Sequence, residues 1–219
     1  MLSQQDNDML CQVGPGTPMG NLLRQYWAPA ILPSEVTPDG PPLRFRLFGE
    51  NLIAFRNTSG EVGIIQNSCP HRGASLFFGR NEEDGLRCVY HGWKFDVHGT
   101  CVDMPSEPAE SNFKNKVRTL AYPVRERNGI VWTYMGPRSD PPPLPELPPN
   151  LVEESNVWVR LEECNFMQAL EGDIDTVHFG FLHAGQQPRH VPWPLGLDEA
   201  ELGKMAADRI DQLGTLADQ

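Results

Sequence analysis

Two short segments constrain this chain more than anything else in it. SCPHRG (68–73) and CVYHGW (88–93) each place a cysteine and a histidine inside one tight loop. One residue separates Cys69 from His71, two separate Cys88 from His91, and sixteen lie between His71 and Cys88. A fold that uses all four together must carry both loops on a rigid scaffold and bring their tips to one place. The flanking sequence has that character. From Leu43 the apolar period is two: Leu43, Phe45 and Leu47 alternate with arginines, GEN (49–51) turns into LIAF, and TSG (58–60) turns into VGII. Such runs, bounded by turn residues, predict the short strands of an all-β module. The pattern resumes at LRCVY (86–90) and GIVWTYM (129–135). Ahead of it, Thr17 and Pro18 predict the cap and first turn of a helix over 18–26, with Leu22, Leu23, Tyr26 and Trp27 at helical spacing.

Two cysteines and two histidines can hold one zinc ion, since such tetrahedra are common. Zinc fingers, however, usually pair cysteine with cysteine and histidine with histidine along the chain. Here each loop supplies one of each. That mixed order suits a [2Fe–2S] cluster of Rieske type, in which one iron takes both thiolates and the other both imidazoles. Gly73 and Gly92 would let backbone amides approach it, and Trp93 and Phe77 would shield it. Cys11, Cys101 and Cys164 fall outside the loops and read as small apolar residues. Five scattered cysteines make a poor disulfide framework. His98 and His190 read as exposed residues rather than ligands.

Beyond the β module, DPPPLPELPPN (140–150) predicts an extended, semi-rigid linker. VWVRLEE (157–163) predicts a strand and NFMQALEGDIDTVHFG a helix. The segment EGDIDTVHFGFLH (171–183) carries His178 and His183, five residues apart. On one continuous helix they would diverge by roughly 140°. They converge only if the helix deforms or ends between them, which Gly180 allows. Glu171, Asp175 and His178 share a helix face at this spacing. Two histidines and a carboxylate form the facial triad of non-haem Fe(II) sites, and a redox cluster in the same chain needs an acceptor.

The formal net charge of −11, with no basic run, argues against nucleic acid as a partner. No apolar run approaches the roughly 20 residues of a membrane span. MLSQQDNDML has neither the basic start nor the apolar core of a secretory signal, so a cytoplasmic location is expected.

CPHRGASLFFGR and CVYHGWKFD resemble the large, oxygenase subunit of the Rieske non-haem iron ring-hydroxylating oxygenases, in the phthalate 4,5-dioxygenase-like branch. The resemblance runs from VGPGTPMG to about Ala184. It implies an α+β chain: an N-terminal helix and all-β Rieske [2Fe–2S] domain over 1–139, the Pro-rich linker 140–150, and an incomplete helix-grip-type catalytic domain over 151–219. It implies Cys69, His71, Cys88 and His91 as cluster ligands, and His178 and His183 as ligands of a mononuclear Fe(II). Asp175 matches a carboxylate that bridges to a cluster histidine of a neighbouring subunit, and Asn165 matches the motif's asparagine. Phe166 stands where the family usually has Trp or Tyr, and Asp173 matches no motif position. The implied partners are an NADH-dependent reductase of flavin and ferredoxin type, O2, an aromatic carboxylate such as phthalate, and further copies in a homotrimer.

The family's third iron ligand is a carboxylate far downstream in a longer chain. After AGQQ the resemblance ends. Leu202, Met205, Ala206, Ile210 and Leu213 then predict an amphipathic helix whose acidic residues form a solvated face. Two readings stand: an oxygenase component, or a truncated or split chain that serves only as a Rieske electron-transfer module.

Overall fold

The computed structural model describes residues 2–108, 110–146 and 157–182. The chain divides into two compact units, Met1–Met167 and Gln168–Gln219.

The first unit opens with two short helices. α1 (Gln4–Cys11) is capped by Ser3, whose hydroxyl accepts from the Asp6 N–H. α2 (Pro18–Leu23) is capped by Thr17, which accepts from the Gly20 N–H. α2 is the helix expected from Thr17 and Pro18, ending a turn early. α1 was not foreseen, because its polar sequence has no apolar period.

Among the described residues eleven strands follow, in three antiparallel sheets. The first has β1 (Trp27–Ile31), β11 (Ile130–Tyr134) and β10 (Val124–Arg127), in that order. The second is β2 (Leu43–Leu47), β3 (Glu50–Arg56), β4 (Val62–Gln66) and β9 (Ala121–Tyr122). The third is β5 (Arg80–Glu82), β6 (Gly85–Arg87), β7 (Lys94–Phe95) and β8 (Cys101–Asp103). In β2 the arginines are exposed and Leu43, Phe45 and Leu47 half-buried, the predicted alternation. The β2–β3 hairpin turns at Phe48 and Gly49, both at positive φ, one residue before the predicted turn. The Arg24 guanidinium bonds the Phe48 carbonyl and so supports a conformation unusual for phenylalanine.

One apolar cluster joins Ile53, Phe55 and Ile65 of the second sheet to Leu86 and Phe95 of the third, with Leu76, Trp93, Cys69 and Cys88. The metal-loop cysteines are therefore part of the core of this unit. A smaller cluster of Trp27, Trp132, Tyr134 and Leu144 docks the start of the Pro-rich stretch, where the Trp27 indole donates to the Pro142 carbonyl at 2.7 Å. Residues 147–156, the rest of the expected linker and its sequel, lie outside the described residues.

Two expectations fail here. Residues 157–163 form no strand; Trp158, Val159 and Leu161 are exposed, so the alternation there has no partner to pair with among the described residues. LRCVY is a strand only as far as Arg87, because Cys88 already closes a loop.

The expected helix over 165–180 occurs in two pieces, α3 (Phe166–Ile174) and α4 (Val177–Leu182), parted at Asp175 and Thr176. The break thus precedes His178 rather than falling at Gly180, which lies within α4. Asp175 sits at the break: its Oδ1 accepts from the Val177 N–H at 2.8 Å, the bond of an Asx turn. The helix expected beyond Asp198 lies outside the described residues, as do His183 and His190. Among the described residues no helix is long and apolar enough to cross a membrane.

Candidate iron–sulfur site

The two Cys/His loops share one backbone design. Each has six residues, Cys69–Ala74 and Cys88–Trp93. An antiparallel bridge from Ser68 to Ser75 clamps the first, and the β6–β7 pair Arg87–Lys94 clamps the second. In each, the cysteine N–H donates to the sixth residue's carbonyl at 2.8 Å: Cys69 to Ala74, Cys88 to Trp93. In each, the fifth residue is a glycine whose N–H returns to the cysteine carbonyl, Gly73 at 2.9 Å and Gly92 at 3.0 Å. Both glycines have left-handed backbones, φ 70° and 77°, which explains glycine at both. The loops differ in where the histidine stands, third in one and fourth in the other.

This arrangement sorts the ligands by chemistry. Cys69 and Cys88 are each only 2% exposed and face the core. Their thiols touch: the Cys69 thiol is pushed up to about 11, first by burial and then by the neighbouring Cys88, while the His71 and Arg72 amides that point at its sulfur oppose the rise. Amides aimed at sulfur are what a metal-bound thiolate requires. His71 and His91 are half-buried, with ring centroids 4.6 Å apart. Desolvation, then the neighbouring His91 and Arg72, hold His71 below the usual imidazole range, so it is neutral and able to ligate at pH 7.

The pairing is cysteine with cysteine and histidine with histidine, two donors for each of two metals. Among the described residues no three His, Cys, Asp or Glu side chains gather around a single point, as one zinc ion would need. Among the described residues the buried His71 Nδ1 has no hydrogen-bond partner, which leaves this nitrogen for a ligand. The residues present therefore fit a [2Fe–2S] group. Trp93 stacks on His71 at 4.4 Å and 8°, and Tyr90 covers His91 at 3.9 Å, so Trp93 shields the site as expected. Phe77 packs instead on the rim of the core, under the Arg44 guanidinium.

Of the remaining candidates, Cys101 is buried as an apolar residue, Cys11 is half-buried, and Cys164 is exposed. His98 is exposed beside a groove of about 580 Å³ that includes none of the four ligands.

Asn165 is exposed immediately before α3, and Asp175 is exposed between α3 and α4. Besides accepting from the Val177 N–H, Asp175 places Oδ2 3.4 Å from His178 Nδ1. The Val177 amide bond is the chief reason its carboxyl lies below the usual range. Glu171 and Asp173 are exposed on α3.

Sequence reasoning missed Arg87. It precedes Cys88, yet its importance depends on Glu82 and Asp103, which no local pattern links to it.

Comparison with known proteins agrees with this geometry. Residues 26–121 match the Rieske [2Fe–2S] domain. The chain is 54% identical over 187 residues to the 3-chlorobenzoate-3,4-dioxygenase oxygenase subunit of Comamonas testosteroni, covering 84% of this chain and 43% of that protein. It is 47% identical over 205 residues to the phthalate 4,5-dioxygenase oxygenase subunit of Pseudomonas putida, covering 91% and 46%. Among solved structures it superposes on the oxygenase–ferredoxin complex of carbazole 1,9a-dioxygenase with a TM-score of 0.53 and 29% identity, over 66% of this chain and 35% of that one. The chain spans less than half the length of these relatives. Residues 26–121 are thus a Rieske [2Fe–2S] domain, and over most of its length the chain is similar to parts of oxygenase subunits of Rieske ring-hydroxylating dioxygenases.

Proposed function

We propose that this chain is the oxygenase component of a multicomponent Rieske system that hydroxylates an aromatic carboxylate with O2, using electrons that a reductase takes from NADH in the cytoplasm. The observation that carries this reading is the pair of matched loops, which set two cysteines in the core and two histidines at its edge. The substrate class rests on the two relatives whose names specify a chlorobenzoate and a phthalate.

In this reading Cys69 and Cys88 hold one cluster iron and His71 and His91 the other. His178 and His183 hold a mononuclear iron, with a carboxylate outside the described residues as third ligand. When bound, the cluster supplies one-electron transfer and the mononuclear iron supplies oxygen activation. The chain's own residues position these centres. Burial keeps water from the thiolates, and Trp93 fixes the plane of His71. Asp175 bonds the Val177 N–H and lies 3.4 Å from His178 Nδ1, so one carboxylate touches both the first residue of α4 and that imidazole. A bridge from Asp175 to a neighbouring subunit's cluster would make the working form a homotrimer. Asn165, the motif's asparagine, would support α3 from its start.

The test is iron analysis with EPR on the purified protein, then NADH- and reductase-dependent turnover of benzoates and phthalates. The expected result is a Rieske signal, about three irons per chain and a hydroxylated product. Cluster iron alone with no product would favour the second reading, an electron-transfer module. A colourless zinc protein from iron-replete cells would sink both.

A further inference from the structure

The two loops are braced differently, and the second brace is a single arginine. Arg87 ends β6 and is largely buried, with its side chain 12% exposed. Its Nη1 donates to the Gly92 carbonyl at 2.7 Å and to Asp103 Oδ2 at 2.6 Å, and its Nε donates to Glu82 Oε1 at 2.6 Å. One guanidinium thus joins β5, β8 and the glycine of the Cys88–Trp93 loop. The Gly92 carbonyl belongs to the peptide between Gly92 and Trp93. On one side of that peptide unit is His91, and on the other is Trp93, which stacks on His71. An arginine that fixes this carbonyl therefore bears on both imidazoles, the near one through the chain and the far one through the indole.

We propose that Arg87 is a positioning residue for the cluster, one that orients the histidine-ligated side of the site by holding the Gly92 carbonyl against Glu82 and Asp103. The inference rests on the assignment of the four ligands and goes beyond it. The planar fork matters as well as the charge. Three acceptors in different directions suit a guanidinium with several fixed N–H groups, whereas a lysine ammonium is a point donor on a flexible stem. Loop one shows the contrast. Its brace is neutral, with Ser75 Oγ donating to Asn67 Oδ1 at 2.7 Å and the Leu76 N–H to the Asn67 carbonyl.

The experiment compares the full-length wild type with Arg87→Met, Arg87→Lys and Cys88→Ser. The readouts are EPR line shape, midpoint potential and the rate of iron loss to a chelator. Arg87→Met is expected to broaden the EPR signal, shift the potential and speed iron loss roughly tenfold, the size of effect that residues supporting metal ligands usually have. Arg87→Lys keeps the charge and is expected to retain the broadened signal. A folded Arg87→Met with wild-type EPR, potential and iron loss would overturn the proposal. So would an Arg87→Lys protein that matches wild type throughout, since charge alone would then suffice. If Arg87→Met does not fold, the double variant Glu82→Gln, Asp103→Asn decides. A broadened signal supports the role, and an unchanged one ends it. Cys88→Ser is read separately: if it kept its iron, the ligand assignment would fail, and that failure is distinct from any result at Arg87.

Discussion

The two cluster loops have the same backbone frame and opposite supports. Loop one, Cys69–Ala74, is held by neutral hydrogen bonds that Asn67 accepts from Ser75 and Leu76. Loop two, Cys88–Trp93, is held by Arg87 and two carboxylates. The frame explains why each loop can offer a buried sulfur and an outward imidazole from so few residues. The supports explain why the loops should respond differently to solvent. Neutral bonds are indifferent to pH and salt, whereas an arginine between carboxylates works only while those carboxylates are charged.

The largest effect tests what the loops have in common. His71→Ala and His91→Ala should each cost the whole cluster, because each loop supplies half of every ligand type. Visible absorbance and bound iron would check this. If either variant kept a Rieske signal, the two loops would not be equal contributors.

The next effect separates them sterically. Gly73 and Gly92 are both left-handed, so alanine at either costs about 1 kcal/mol of backbone strain. A Cβ at Gly73 meets nothing within 4 Å, whereas one at Gly92 comes 2.6 Å from Pro105 Cγ. Overpacking adds roughly 1–3 kcal/mol. Denaturant unfolding should therefore place Gly92→Ala well below Gly73→Ala, and equal losses would remove this asymmetry. On the neutral side, Ser75→Ala removes the bond to Asn67 Oδ1 and the longer one from the Phe77 N–H, and should cost roughly 1–2 kcal/mol, equally at pH 7 and pH 4.

The legibility of the chain follows the same division. The ligands could be read from sequence because Cys, His and Gly recur at short, matched spacings, and each loop is closed by its own backbone. Thr17 and Pro18 marked α2 for a similarly local reason. Arg87 was invisible because its partners are separated from it by the turn of β5–β6 and by a further strand. The strand expected at 157–163 failed because alternation predicts pairing only where a neighbour exists. Asp175 was read on one continuous helix with Glu171 and His178; the helix parts at Asp175 and Thr176, where the Asp175 Oδ1 accepts from the Val177 N–H. His183 lies outside the described residues.

The smallest effect probes the charged brace by pH. Hydrogen bonds from Arg87 are the first cause holding both Glu82 and Asp103 below the usual carboxylate range. A carboxyl whose folded pKa is depressed stabilises the fold above its unfolded value, near pH 4, and loses that contribution as pH falls through the lower folded value. The gap in melting temperature between wild type and Asp103→Asn should therefore be present at pH 7 and close in acid below about pH 4. It should also be small, because Asp103 is 43% exposed and solvent screens the pair. Ser75→Ala, measured in the same series, should show a gap that does not close. If both gaps closed together, acid would be acting on the whole module, and the contrast between a neutral and a charged loop would have no bearing on its stability.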